Sequence, residues 1–233
     1  MGAIARIARN FGATRLILVQ PRAKIGSVAR RRAMVGLDLL KEAKRVVNLD
    51  RAIGEVDLVV GTTDLSSGRS NNYLRRSVSP ERLGEMLRPL TGKVAVVFGP
   101  EDDGLLRTEL ERCDLLVHIP TCRDAPTLNV SHAAGVVLYA IHRAQGPDSD
   151  ETTPAPEEFL LNGPEKELLL ERVRDLATKA GYPPHKRRGL ILLVRRVLGR
   201  ATPTEAEYRM LLGFLRSVDR LSRNQRGGKR RVA

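Results

Sequence analysis

Tryptophan is absent and aromatic residues make up 3% of the 233 positions, so base stacking cannot dominate a contact with nucleic acid. Cysteine is nearly absent. Cys113 and Cys122 stand in no metal-ligand spacing, which argues against a disulfide framework and a cysteine-based metal centre. No metal is expected. No apolar run is long enough to span a bilayer, and no leader pattern opens the chain. A soluble, cytoplasmic protein without a membrane partner is the expectation. Acidic residues are scarce in one region only. Residues 164–233 hold 18 of the 40 Lys+Arg but 7 of the 27 Asp+Glu, a net +11, whereas residues 1–163 carry +2. Such a concentration is the footprint of a polyanion binder. A solvated, arginine-rich helical surface would give the same count.

The most informative stretch present is VAVVFGPEDDGL, residues 94–105. Its apolar run lacks alternation, which predicts a strand buried on both faces. It breaks at Gly99, Pro100 and Glu101, and Gly104 closes the turn before a helix expected from about Leu105 to Cys113. The loop would sit at the carboxyl end of a strand, where open α/β sheets bind ligands. An ordinary turn with an acidic cap would look the same from this loop alone. A second strand-to-helix junction follows. LLVHIP (115–120) predicts a buried strand, and Asn129 or Ser131 can cap a helix over 130–144. A third element opens the chain: a short helix over 2–12 ended by Gly12, then the strand TRLILVQP at 14–21.

Together these segments resemble the SpoU-TrmH branch of the SPOUT superfamily, knotted RNA 2′-O-ribose methyltransferases that use S-adenosylmethionine. The family's first motif, Asn-x-Gly-x-x-x-Arg, survives as Gly2 and Arg6. The second is Gly99, Pro100, Glu101, Gly104 and Leu105. The third is Thr127, Leu128, Asn129, Val130 and Ser131, with Thr where Ser is usual. The family's first strand and the motif's asparagine would precede Met1. An initiation site assigned too far downstream is the favoured explanation, with the first strand missing from the sequence as it stands.

The boundary between two parts is legible. Residues 146–163 are rich in proline and acid, as linkers are. An amphipathic helix follows from about 165 to Gly181, then a Leu- and Arg-rich helix at 185–200. A third is expected to be capped by Thr202, with Pro203 at its first position, and to reach Leu221. A basic tail, 222–233, ends the chain. The resulting division is a methyltransferase domain at 1–145, a linker at 146–163, a helical RNA-binding extension at 164–221 and the tail. The extension resembles that of the TrmJ-type tRNA methyltransferases, chiefly in GYPPHKRRGL and LGRATPTEAE.

The resemblance implies a cofactor pocket of three loops. It assigns S-adenosylmethionine to Thr62, Thr63, Gly99, Glu101, Gly104, Ile119, Leu128 and Ser131. Space for adenosine is expected beside Gly99. The nucleophile is a ribose 2′-hydroxyl, which must lie in line with the methyl and lose its proton. Arg6 is implied as catalytic. A guanidinium is a poor base, with a pKa above about 12, so its role is to bind the adjacent phosphate and stabilise alkoxide charge. Asn129 and Thr127 would orient the ribose or Arg6, and Glu101 would fix the loop and the arginine network. Expected RNA contacts are Arg6, Arg75, Arg76, Lys186, Arg187, Arg188, Arg195 and Arg196. The implied substrate is tRNA at nucleotide 32 of the anticodon loop, and the implied assembly is a homodimer through the methyltransferase domain. Ribosomal RNA is the alternative substrate. An RNA-binding or assembly factor that keeps the fold without turnover is the alternative of another class.

Overall fold

The computed structural model describes residues 1–64, 77–146, 158–159 and 162–228. The chain opens on α1 (Gly2–Asn10), ended by Gly12 at φ +76°, a backbone conformation that glycine adopts without strain. Then come β1 (Ile17–Val19), α2 (Ser27–Ala33), α3 (Leu37–Lys41), β2 (Lys44–Val46), α4 (Leu49–Ile53) and β3 (Leu58–Thr62). From residue 77 come β4 (Ser77–Val78), α5 (Pro80–Leu87), β5 (Leu90–Thr91), β6 (Val94–Val97), α6 (Arg107–Leu110), β7 (Leu115–Val117) and α7 (Val130–Gln145). The last elements are β8 (Glu158–Phe159), α8 (Gly163–Lys179), α9 (Pro184–Ala201) and α10 (Glu205–Gly228). No helix among the described residues is long and apolar enough to cross a membrane.

Every pairing described is parallel. The main sheet has the order β4-β7-β3-β6, while β1 pairs with β2 and β5 with β8. On one face Leu58, Val60, Leu115 and Val117 pack with Leu83 and Leu87 of α5 and Val137 of α7. On the other, Val59, Cys113 and Leu116 pack with Ile53, Val56 and Leu110. With both faces covered, β3 needs apolar side chains at successive positions, so its sequence does not alternate.

β6 departs from expectation. It pairs with β3 alone among the described strands, Val94 is 37% exposed, and Ala95, Val96 and Val97 are half-buried. Its apolar run belongs to the edge of the four-stranded sheet. α6 is also shorter than expected and starts later. Leu106 is its N-cap position, and Glu109 accepts from the Leu106 amide at 2.8 Å. Glu109, not Glu101, is therefore the acid at this helix start.

The three helices of the extension share a core of Leu169, Leu170, Leu198, Tyr208 and Leu212. Asn162 caps α8, and Gly181 at φ +71° follows its end. Thr202 does not cap α10. It ends α9 in the left-handed region, while Thr204 and Glu207 form a reciprocal cap at the start of α10. Pro203 stands between them and cannot donate a backbone hydrogen bond. β8 lies inside the segment expected as linker and pairs with β5.

Candidate active site

Register places the loops. In the main sheet Gly61 is paired with Val97 and Thr62 with Val117, so β6, β3 and β7 end side by side. Parallel neighbours lie about 4.8 Å apart, and the chain after each strand leaves from one edge. These departures are Thr62 and Thr63, Gly99 to Gly104, and Ile119 to Leu128, the three loops expected to hold the cofactor.

Side chains tie the loops together. The Thr62 hydroxyl donates to the Val97 carbonyl at 3.1 Å, and the Thr63 amide donates to the Val117 carbonyl at 3.0 Å. His118 Nδ1 lies 3.1 Å from the Thr63 carbonyl. A carbonyl only accepts, so Nδ1 carries the proton of that bond. His118 is half-buried and joins two loops.

The Gly99 loop is closed on itself. A Cβ at Gly99 would lie 2.2 Å from the Gly104 carbonyl carbon and 2.4 Å from the Leu105 nitrogen. The Cβ direction of Gly99 is therefore filled by the chain's own backbone. Gly104 sits at φ +64° with nothing within 4 Å of its Cβ direction, and its amide donates to Pro100 at 3.0 Å. Open space belongs to Gly104. Glu101 is exposed and makes no ion pair among the described residues.

At the third loop the Thr121 hydroxyl donates to the Pro126 carbonyl at 2.9 Å. Asn129 caps α7, its Oδ1 accepting from the Ser131 amide at 2.9 Å and from the Ser131 hydroxyl at 2.6 Å. Asn129 and Ser131 thus act as one unit, with Asn129 exposed at the start of α7. Thr127 and Leu128 are exposed beside them, and Ile119 is half-buried.

Arg6 is exposed on α1. Its neighbour Ala5 is fully buried, and Gly36 lets the chain after α2 press on it, since a Cβ at Gly36 would lie 2.2 Å from the Ala5 carbonyl oxygen. α1 also packs on α7: Phe11 meets Tyr139 edge-on at 5.8 Å and His142 at 5.8 Å. The first-motif helix and the third-motif helix are thereby one layer.

The arginines expected to meet RNA divide sharply. Arg75 and Arg76 lie outside the described residues. Lys186 is exposed. Arg187 Nε donates to the Tyr182 carbonyl at 2.8 Å, and Arg188 pairs with Glu111 at 2.5 Å. Arg195 and Arg196 do not reach solvent, at 6% and 2% exposure. Arg195 pairs with Asp114 at 3.2 Å and with Glu167 at 2.6 Å; Arg196 donates to the Leu110 carbonyl at 2.6 Å. Gly199 explains the burial, since its Cβ would meet the Asp114 carbonyl at 2.5 Å. α9 therefore lies directly on the start of β7.

Asp114 is the residue the sequence did not single out. It is fully buried, and its Oδ2 accepts from the Val59 amide at 2.9 Å and from Lys166 at 2.5 Å. One carboxylate thus joins β3 and β7, which carry two site loops, to α8 and α9 of the extension. A charge directly before an apolar strand was the available hint. Burial pushes the adjacent Cys113 thiol up to about 12, with Arg196 opposing, and pulls the Arg196 guanidinium down. Among the described residues no His, Cys, Asp and Glu group could hold a metal ion.

Residues 1–139 match the SpoU rRNA Methylase family. The tRNA (cytidine-2′-O-)-methyltransferase TrmJ of Methanocaldococcus jannaschii is 33% identical over 208 residues, 86% of each chain. The tRNA (cytidine/uridine/adenosine-2′-O-)-methyltransferase TrmJ of Pseudomonas aeruginosa is 30% identical over 236 residues, covering 96% of this chain and 90% of that one. The crystal structure of TrmJ from Z. mobilis shares the fold, with a TM-score of 0.71 at 23% identity over 94% of this chain and 92% of that one. The likeness runs through core and extension alike, and the chain belongs to the SpoU rRNA Methylase family of methyltransferases.

Proposed function

We propose that this protein transfers the methyl group of S-adenosylmethionine to a ribose 2′-hydroxyl of tRNA, at nucleotide 32 of the anticodon loop. The observation that carries the reading is the near full-length similarity to the archaeal and bacterial TrmJ enzymes, extension included. A ribosomal RNA enzyme of the same chemistry remains the alternative substrate reading.

The site fits such a cofactor. Three backbone loops converge at one sheet edge, with open space at Gly104 and apolar Ile119 and Leu128 on the third loop. Backbone N–H and C=O groups can read an adenine edge. When bound, the cofactor supplies an electrophilic methyl on a sulfonium. The chain supplies placement and charge. Arg6 is exposed, so its guanidinium can hold a phosphate and offset charge developing on the 2′-oxygen. Asn129, fixed by its bonds to Ser131, presents its amide nitrogen to the ribose, with Thr127 beside it. The hydroxyl proton passes to solvent or a phosphate oxygen.

Pairing of two copies through the methyltransferase domain is part of the proposal. Val28, Met34 and Val35 near α2 are 55%, 59% and 62% exposed, and Tyr139 of α7 is 51% exposed. These lie on the layers that pack with α1, and exposed apolar clusters mark interaction sites.

The test is transfer of labelled methyl to bulk tRNA and to ribosomal RNA, with the modified nucleotide located by mass spectrometry. Modification of tRNA that vanishes on 2′-deoxy substitution at nucleotide 32 is expected. Transfer to ribosomal RNA alone refutes the substrate. Binding of RNA without transfer to either refutes the enzyme reading.

A further inference from the structure

A groove of about 720 Å³ runs between α8 and α10, lined by Arg172, Gly213, Arg216, Ser217, Asp219 and Arg220. None of these residues was singled out by the sequence motifs. Arg216, Gly213, Ser217 and Arg220 recur at helical spacing, so they share one face of α10. Arg216 and Arg220 are exposed, and Arg172 faces them half-buried from α8. Arg172, Arg216 and Arg220 form no ion pair among the described residues. The Ser217 hydroxyl accepts from Arg220 at 3.3 Å and donates to the Gly213 carbonyl at 3.1 Å. The one carboxylate of the groove, Asp219, is 9% exposed and paired with Lys179. Its charge is thereby offset, and the three guanidinium groups set the sign of the groove. Gly213 contributes room, since nothing lies within 4 Å of its Cβ direction.

We propose that this groove is a phosphodiester-binding site that seats the RNA backbone on the extension. It deepens the tRNA reading above and rests on it. The chemistry suits phosphate. Guanidinium groups donate in pairs to its oxygens, and three cations in one groove lack enough acid to neutralise them internally. The site also relocates the RNA contact. On α9, Arg188 and Arg195 are paired with carboxylates and Arg196 is buried on a carbonyl, whereas the three arginines of the α8–α10 groove form no ion pair among the described residues.

The experiment uses the full chain. Arg172→Gln, Arg216→Gln and Arg220→Gln are combined and compared with Lys41→Gln, Arg45→Gln and Arg51→Gln, which remove equal charge from exposed positions elsewhere. Filter binding of tRNA is measured over a salt series. The groove variant should bind at least about tenfold more weakly near 0.1 M salt, with a log–log slope flatter by roughly 2 to 3, at about 0.7 to 0.9 per phosphate lost. Gly213→Glu, which deletes nothing and improves helix propensity, should weaken binding in the same direction. Equal losses in the groove and control variants would overturn the site, as would full binding by Gly213→Glu. Inorganic tripolyphosphate is the competitor. If it displaces RNA from the groove with an affinity equal to tRNA, the ligand is a free polyphosphate and the proposal fails. A wild type that ignores tRNA but binds ribosomal RNA through the same arginines refutes the tRNA reading and upholds the groove. Binding of neither refutes both.

Discussion

The core and the extension use the same residues to opposite ends. In the core, charge is nearly balanced, and the sheet is set by apolar side chains and parallel register. In the extension, 18 basic residues stand against 7 acidic ones, and part of that excess is structural. Arg195 and Arg196 are buried against the core, whereas Arg216 and Arg220 are exposed. A count of charges finds a polyanion binder but cannot say which cations bind. The seam between the regions is also polar. Asp114, Lys166, Arg195 and Glu167 form a balanced cluster there. Cutting the chain near Gly146 would therefore strip a buried carboxylate of its partners, and is a poor way to isolate the core.

The sharpest way to break the comparison is at that seam. Asp114→Ala leaves Lys166 buried without a carboxylate and Arg195 with Glu167 alone, and should destabilise the protein by about 3–5 kcal/mol. Urea denaturation measures it. A loss under about 1 kcal/mol would mean that the two regions are held by apolar contact alone. Asp114→Asn should recover part of the loss, since it still accepts from the Val59 amide.

Arg6→Ala tests the core alone. It should lower methyl transfer by about 10²–10³-fold, as loss of one charge-stabilising donor does. Affinity for S-adenosylmethionine by calorimetry should stay within a few-fold. Transfer close to wild type would remove Arg6 from the mechanism.

Thr204→Ala tests the extension alone. Loss of the cap on α10 should cost about 1 kcal/mol, seen as a lower thermal midpoint. Thr202→Ala should cost less, because Thr202 ends α9 through its backbone and its side chain caps no helix. Equal effects would argue that the reciprocal bonds of Thr204 and Glu207 contribute nothing.

The smallest effect concerns the two thiols. Cys122 is exposed and Cys113 buried. At pH 8 one equivalent of a thiol reagent should react with the native protein and two with the denatured one. Cys113 also carries a pH dependence. Its folded value, about 12, lies above the ordinary 9.0, so the folded state holds its proton more tightly. That contribution is fully present below about pH 9 and is lost as pH rises towards 12. Rapid native labelling of both thiols at pH 8 would place Cys113 outside the core.

The loops of the site were legible because each strand end is written locally: apolar run, break, helix cap. Gly99, Gly104, Asn129 and Ser131 all stand at such breaks, and the motifs around them carried the family. Their partners were not legible. That Asn129 would bind Ser131, that Gly99 would press on Gly104, and that His118 would reach Thr63 depend on how the chain folds back. The edge position of β6 was misread because an apolar strand looks alike at an edge and in the middle. Likewise Thr202 and Thr204 are equivalent candidates until the course of α9 is known.

Sequence alone determined the class of fold, the helical extension, the region of positive charge and the three strand-end loops. These follow from periodicity, composition and short motifs, which act over a few residues. Tertiary structure decided which arginines are clamps and which face solvent, what Asp114 does, and where an open basic groove lies. Those outcomes depend on contacts between residues as far apart as Asp114 and Arg195, and burial is a property of the packed whole.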